Sequence, residues 1–273
     1  MSKRNSQASK TAAREKLRLE RERQARRDKI KRQGIVAGSL VAVLAIAGGI
    51  GYAVVQNNKP SHWDGLKDAK NVVAPANTTG TKGTTVVIGK DTAKKTLKVY
   101  EDPRCPVCAQ FEQTVGTTVK KDLDDGKFKI QYIGATFIDG KDNGQGSKNA
   151  LSALGAALNV SPEAFLEYKT ALYSAKWHPD EQTDKFKDDS YLIKVADTVP
   201  ALKANTKFQD DVKKGTYDAW AVAMSKTFDD NKDGVTGTPG FVMNGKQLTA
   251  DSQGTPLLTV EAFNKAVGEA LKA

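Results

Sequence analysis

The chain contains two cysteines, Cys105 and Cys108, separated only by Pro106 and Val107. This C-x-x-C pair follows a predicted strand and opens a predicted helix, where unpaired N–H groups and the positive dipole end point at the first sulfur. Pro106 suits the first helical turn because its missing N–H would have had no partner. Since the thiolate is the nucleophile in disulfide exchange, we expect Cys105 to attack and Cys108 to resolve the mixed disulfide.

Metal binding and a structural disulfide are the alternatives for this motif. A C-x-x-C can be half of a zinc site, but the other soft ligands, His62 and His178, are far apart in the sequence. A disulfide closing so short a loop removes little entropy from the unfolded chain. Residues 229–234 begin like an EF-hand loop, yet Gly240 stands where the bidentate acid belongs. We expect neither a metal nor a cofactor.

The elements on either side of the cysteines predict a βαβ unit. Residues 96–100 alternate apolar and polar side chains, as a half-buried strand does. Residues 108–119 are typical of a helix, and residues 128–133 of a second strand. Such a unit makes its two strands parallel. A short strand is predicted before it, at residues 85–88.

A block of helices is predicted after this unit, before the sheet resumes. Ser161 and Pro162 form a capping signal. Helices are predicted at residues 148–159, from 161 onward, and at 189–203 and 206–228, so that an insertion spans about 148–230. Asn244-Gly245 is the signal of a type I′ hairpin turn between residues 241–243 and 246–248. A closing helix is predicted at residues 260–272.

The chain resembles the thioredoxin superfamily and, within it, the membrane-anchored DsbA-like oxidoreductases of bacteria. The matching residues are Tyr100-Glu101-Asp102, the cysteine motif, Phe111-Glu112, Val235-Thr236-Gly237-Thr238-Pro239, Phe241 and Asn244-Gly245. The resemblance covers about residues 85–273 and implies an α/β, thioredoxin-like fold with a helical insertion. An X–Pro bond taken alone is expected to be trans. The resemblance instead implies a cis Thr238–Pro239 bond beside the cysteines, with the Thr238 backbone free to pair with an extended substrate.

The charged residues next to the motif should change the stability of the Cys105 thiolate. The Pro-Val dipeptide carries no histidine to stabilise the anion, which predicts a weaker oxidant. Arg104 would favour the anion, whereas Glu101 and Asp102 would oppose it if they lie close and charged. The sum of these effects, and with it the direction of electron flow, stays open at this stage.

The N-terminal part of the sequence predicts membrane attachment. Residues 1–33 carry a net charge of +9 out of the +10 of the whole chain, and residues 34–55 contain no charge. Twenty-two helical residues span about 33 Å, enough for a bilayer core of about 30 Å. We therefore expect a basic cytoplasmic tail at 1–33, a transmembrane helix at 34–55 and a polar linker at 56–84. A cleaved signal peptide is disfavoured because its apolar region is usually shorter.

These features predict an enzyme tethered to the membrane lipid through residues 34–55, with its catalytic domain at 85–273 outside the cytoplasm. It would donate a Cys105–Cys108 disulfide to reduced exported proteins and be reoxidised by a quinone-coupled membrane oxidase. The near-neutral charge of residues 34–273 disfavours nucleic-acid binding. The alternatives are a reductase or isomerase of the same fold, or a non-catalytic peptide-binding, chaperone-like module.

Overall fold

The computed structural model describes residues 61–230 and 232–273, and positions 16, 23 and 27 singly. The predicted transmembrane helix at 34–55 lies outside these residues, and so does most of the predicted basic tail at 1–33. Among the described residues, no helix has both the length and the apolarity required to cross a bilayer.

One mixed sheet carries the βαβ unit. Its order is β1-β3-β2-β4-β5, and β2 and β3 run parallel while the other pairs are antiparallel. The predicted parallel pairing is confirmed, with Thr96 opposite Lys129 at the start of the register. The strands are β1 (Val86–Ile88), β2 (Thr96–Glu101), β3 (Lys129–Gly134), β4 (Gly240–Met243) and β5 (Lys246–Gln247).

Helices cover the sheet and form the insertion. They are α1 (Pro106–Asp124), α2 (Ile138–Asp142), α3 (Gly146–Val160), α4 (Pro162–Tyr173), α5 (Asp189–Ala196), α6 (Thr206–Lys214), α7 (Asp218–Asp229) and α8 (Val260–Lys272). The Ser161 hydroxyl accepts a hydrogen bond from the Ala164 N–H and caps α4 as predicted. The α3 helix is buried on nearly all sides, which is typical of a helix at the centre of a helical block.

Two of the predicted helices are wrong in their extent. The helix predicted at 189–203 ends at Ala196, and turns follow it to residue 204. The single helix predicted at 206–228 is two helices, because Gly215 adopts a left-handed conformation (φ 59°) and ends α6. Its N–H bonds back to the carbonyls of Asp211 and Val212, as a helix-ending glycine does.

The hairpin turn agrees with its sequence signal. Asn244 and Gly245 both have positive φ, 53° and 73°, as a type I′ turn requires. The turn joins β4, whose side chains are buried, to the exposed strand β5.

Within the predicted linker at 56–84, residues 61–84 contact the helical insertion. Trp63 is buried, and His62 Nε2 lies 2.8 Å from the Asp218 carboxylate. Further along, the Trp220 indole N–H donates to the carbonyl of Gly83 at 2.8 Å. These contacts could not be predicted from the sequence, because the segment is mostly polar. Residues 61–273 together form a single compact unit.

Candidate active site

The two cysteines occupy the first turn of α1. Cys105 is the N-cap residue, and its sulfur lies 3.4 Å from the Cys108 backbone N–H, which donates to it. Both thiols are free and buried. Pro106 and Val107 are exposed between them, so a protein substrate has access to the turn at this point.

The loop before β4 lies against the same turn. The Thr238–Pro239 bond is cis, as the resemblance implied, and Cys105 Sγ lies 3.4 Å from the Thr238 carbonyl oxygen. The proline loop lies close to the cysteine turn because Tyr100, near the end of β2, is paired with Gly240, at the start of β4. The cysteine turn and the proline loop therefore lie at the same edge of the sheet.

At Gly240 the packing leaves no room for a side chain. A Cβ atom at this position would lie 2.4 Å from Cγ1 of Val235, a buried side chain of the same loop. A threonine or alanine here would require the loop to shift.

The two thiols have opposite acidities. Hydrogen bonding from the Cys108 side chain, and then from Thr238 and the N–H groups of Cys108 and Val107, lowers the pKa of Cys105 to about 7 despite its burial. Burial raises the pKa of Cys108 well above its ordinary value, and the neighbouring charges of Cys105 and Glu101 add to the effect. Around neutral pH, therefore, Cys105 changes between thiol and thiolate while Cys108 stays a thiol.

A buried ion cluster lies beneath Cys108. Burial raises the pKa of the fully buried Glu101 to about 7, and the Lys169 charge opposes that rise. The Lys169 ammonium lies 3.2 Å from Glu101 and 2.7 Å from Glu112. Burial tends to raise the pKa of Glu112, but the adjacent Lys169 lowers it overall. Lys169 was missed in the sequence because it comes from α4, within the insertion, where one lysine carries no signal.

Asp102 holds the turn that precedes the cysteines. Its carboxylate accepts hydrogen bonds from the Arg104 N–H at 3.0 Å, the Ile138 N–H at 3.1 Å and the Ser147 hydroxyl at 2.6 Å. Its carbonyl accepts the Cys105 N–H at 2.9 Å. Burial nevertheless raises the pKa of Asp102 to about 6. Its principal contacts are with the turn and α3, so its role here is to shape the loop.

Arg104 does not act on the thiolate as expected. Its guanidinium is 1% exposed and contacts the carboxylates of Asp139 at 3.1 Å, Asp142 at 2.5 Å and Asp184 at 3.3 Å. These three anions more than offset its charge. Arg104 is not among the main groups that shift the pKa of Cys105. It ties the active-site turn to α2 and to the loop before α5.

His178 lies beside the active-site turn. Its Nε2 donates to the Pro103 carbonyl at 3.2 Å, and its ring stacks on Tyr173. Burial lowers the pKa of His178, which keeps the ring neutral at pH 7. Within residues 61–230 and 232–273, no group of three or more His, Cys, Asp and Glu side chains is arranged to hold a metal. Asp233, from the EF-hand-like sequence, instead pairs with Lys98 and Tyr100.

This arrangement is suited to disulfide exchange. One sulfur has a lowered pKa and adjoins an exposed dipeptide, and the second is protonated and lies one helical turn further on. The fold and this site together define a dithiol protein of the thioredoxin type. A family model described as Thioredoxin matches residues 81–267, and the chain belongs to that family.

The chain is also similar in sequence to several described proteins. The chain is 26% identical over 164 residues to disulfide bond formation protein D of Bacillus subtilis, covering 59% of this chain and 68% of the relative. It is 24% identical over 252 residues to a probable disulfide bond formation protein D of Bacillus cereus, covering 90% and 98%. It is also 25% identical over 169 residues to the serine/threonine-protein kinase PknE of Mycobacterium tuberculosis. That match covers 60% of this chain but only 29% of the kinase's length.

Solved structures share the fold. DsbA from Mycobacterium tuberculosis, in its reduced form, is 25% identical with a TM-score of 0.54, over 69% of this chain and 94% of the other. BdbD from Bacillus subtilis is 21% identical with a TM-score of 0.56, over 74% and 100%. The thioredoxin-like fold with a helical insertion and the DsbA-like resemblance are both confirmed.

Proposed function

We propose that this protein is a thiol–disulfide oxidoreductase that donates the Cys105–Cys108 disulfide to other proteins. The observation that carries the proposal is the contrast between the two thiols, an acidic Cys105 and a buried, weakly acidic Cys108, beside the cis Thr238–Pro239 loop. The relatives described as disulfide bond formation proteins support the same activity.

The exchange proceeds in two steps. A substrate thiolate attacks Cys105 Sγ of the oxidised protein, the Cys105–Cys108 bond breaks, and Cys108 leaves and takes up a proton. A second substrate thiolate then attacks the substrate sulfur of the mixed disulfide and releases Cys105 as a thiolate. The substrate loses two electrons to the protein disulfide, which becomes a dithiol. The low pKa of Cys105 favours the second step because an acidic thiol is a good leaving group.

Substrate binding uses the proline loop and the exposed dipeptide. In this proposal the Thr238 backbone pairs with an extended segment of an unfolded substrate, a form of strand addition. The exposed Val107 offers an apolar contact beside the reactive sulfur. Both contacts are largely independent of substrate sequence, which suits an enzyme that acts on many partners.

The proposal extends to the cellular setting. Disulfides persist outside the reducing cytosol, so the substrates are reduced proteins that have been exported. The charge pattern of residues 1–55 supports an N-terminus in the cytoplasm, a span at 34–55 and an extracytoplasmic catalytic domain. A quinone-coupled membrane oxidase would then reoxidise the dithiol. Tethering both proteins to one membrane raises their effective concentration.

Catalysed refolding tests the activity. The oxidised full chain should accelerate the oxidative refolding of a reduced, unfolded substrate protein, and Cys105→Ser should abolish the effect. In Cys108→Ser the Cys105 thiolate should attack a disulfide of an oxidised substrate and release one substrate thiolate, and the mixed disulfide should accumulate because the protein has no second thiol to resolve it. If Cys105→Ser traps substrate instead, the assigned roles are reversed. If the oxidised wild type gives no acceleration, the proposal fails.

Two measurements test the direction of electron flow and the side of the membrane on which the catalytic domain lies. A reduction potential near those of strong oxidases supports donation, whereas a value near −270 mV, like that of thioredoxin, favours the reductase alternative. External protease added to intact cells should remove the catalytic domain. Protection of the domain until the cells are lysed would place it in the cytoplasm and contradict the topology.

A further inference from the structure

Two stacked rings from the end of α4 lie behind the cysteine turn. Tyr173 is the last residue of α4, and His178 follows after a turn in which its N–H donates to the Ser174 carbonyl at 2.8 Å. The ring centroids of Tyr173 and His178 are 5.8 Å apart, at an interplanar angle of 23°. The Phe186 ring packs against His178 in a T-shaped arrangement at 5.9 Å. This packing fixes the directions in which the two rings present their polar atoms.

The polar atoms of the two rings bind successive backbone carbonyls in the turn that leads to Cys105. The Tyr173 hydroxyl donates to the Asp102 carbonyl at 3.0 Å, and His178 Nε2 donates to the Pro103 carbonyl at 3.2 Å. The Asp102 carbonyl also accepts the Cys105 N–H at 2.9 Å, which closes the turn. The ring pair therefore holds the backbone that carries the reactive sulfur.

Tyr173 also connects this turn to the helix that the cysteines open. The Gln113 side chain of α1 donates to the Tyr173 carbonyl at 2.7 Å. The Tyr173 ring is 1% exposed and packs in one apolar cluster with both cysteines. One residue thus contacts the turn before Cys105 and the helix that follows it.

The position of the reactive sulfur depends on these two hydrogen bonds. Asp102 and Pro103 are buried, so water does not readily replace a donor that either carbonyl loses, and the backbone gains by rearranging to find a partner. The Cys108 N–H lies 3.4 Å from Cys105 Sγ. A displaced turn would weaken this contact, which stabilises the thiolate.

We propose that Tyr173 and His178 are positioning residues for disulfide exchange, which hold the turn so that the Cys105 sulfur faces its hydrogen-bond donors. The assignment rests on the proposed function, and both side chains act through the backbone of the turn. Burial lowers the pKa of His178, so the ring is neutral at pH 7 and serves as a hydrogen-bond donor, not as a cation.

The pH dependence of alkylation of the reduced full chain tests the Tyr173 contact. Tyr173→Phe removes the hydroxyl and should raise the midpoint of Cys105 alkylation by about 0.5 from its value near pH 7. Tyr168→Phe is the matched control, because Tyr168 is another buried tyrosine of α4 and its hydroxyl donates to the Leu192 carbonyl at 3.0 Å. Both variants should lose stability in urea, but only Tyr173→Phe should shift the midpoint. The same midpoint in both variants would overturn the assignment of Tyr173.

Variants at position 178 test the second contact. His178→Leu removes the donor and should raise the Cys105 midpoint in the same way. At pH 8 its equilibrium constant for oxidising glutathione should fall about threefold, because a less acidic Cys105 stabilises the reduced form less. His178→Gln keeps a neutral donor and should restore both values. Wild-type values in His178→Leu, or equal impairment in His178→Gln, would overturn the assignment of His178.

These measurements separate the positioning role from the proposed function. If the wild type does not accelerate oxidative refolding but the midpoints shift as expected, the function is wrong and the two contacts still position Cys105. If the wild type is active and neither Tyr173→Phe nor His178→Leu shifts the midpoint, the function stands and the positioning role is wrong. If His178→Leu does not fold, the comparison of Tyr173→Phe with Tyr168→Phe decides.

Discussion

At the scale of single residues, the acidity of Cys105 follows from a few hydrogen bonds. Its sulfur receives the Cys108 N–H at the helix start, and hydrogen bonding from the Thr238 side chain further lowers its pKa. Arg104 is the cation next to Cys105 in the sequence, but its guanidinium pairs with three aspartates. The thiolate is therefore stabilised by local dipoles and not by a cation.

Replacing the Thr238 hydroxyl tests this account. Thr238→Val keeps the side-chain shape and should raise the pKa of Cys105 by about 0.5–1 unit, since a donor to the thiolate is lost. Titration of the thiolate absorbance near 240 nm measures the change. Thr236→Val, on the same loop but exposed, is the matched control and should leave the pKa in place. An unchanged value in Thr238→Val would show that the hydroxyl does not reach the sulfur.

At the scale of elements, the active-site turn is held by the insertion. Arg104 connects the turn to α2 and to the loop before α5, and Asp102 connects it to α3 through Ser147. Lys169 of α4 reaches beneath Cys108 to Glu101. The helices inserted between β3 and β4 thus serve as the scaffold of the cysteine turn.

Removing the Arg104 guanidinium should loosen this scaffold. Arg104→Met leaves three carboxylates facing one another in a largely buried site, and we expect a loss of about 3–5 kcal/mol in the free energy of unfolding. Urea denaturation measures the loss. Lys121→Met removes an exposed ion pair with Asp125 and should cost less than about 1 kcal/mol. Equal, small losses in both variants would mean that the cluster does not stabilise the fold.

The sequence predicted most elements that carry a periodic or capping signal. The parallel strands, the capped helix α4 and the hairpin at Asn244-Gly245 each depend on residues close together in the chain. The sequence could not predict contacts between distant residues. The partners of Arg104 and the docking of residues 61–84 arise from tertiary packing, which leaves no local pattern.

At the scale of the whole molecule, the paired thiols make stability depend on pH and redox state. Cys105 titrates at about 7 in the folded reduced protein and at about 8.5 when unfolded. Between these values the unfolded chain binds more protons than the folded one, so the stability of the reduced protein rises with pH. The oxidised protein has no such thiol.

Denaturation of both redox forms across pH checks this linkage. The difference in free energy of unfolding, reduced minus oxidised, should rise by about 1 kcal/mol from pH 6 to about 8.5. It should fall above that range, because the pKa of Cys108 is raised in the folded protein and the unfolded chain then binds fewer protons. A difference that is flat or falls between pH 6 and 8.5 would contradict the assignment of an acidic Cys105.

The most direct test of the central claim is the pH dependence of alkylation of the reduced full chain by iodoacetamide, with the modified cysteine identified by mass spectrometry. The account predicts that Cys105 reacts first, with a midpoint near pH 7, while Cys108 stays unmodified. Reaction of Cys108 first, or a Cys105 midpoint near pH 8.5 like that of a free cysteine, would contradict it.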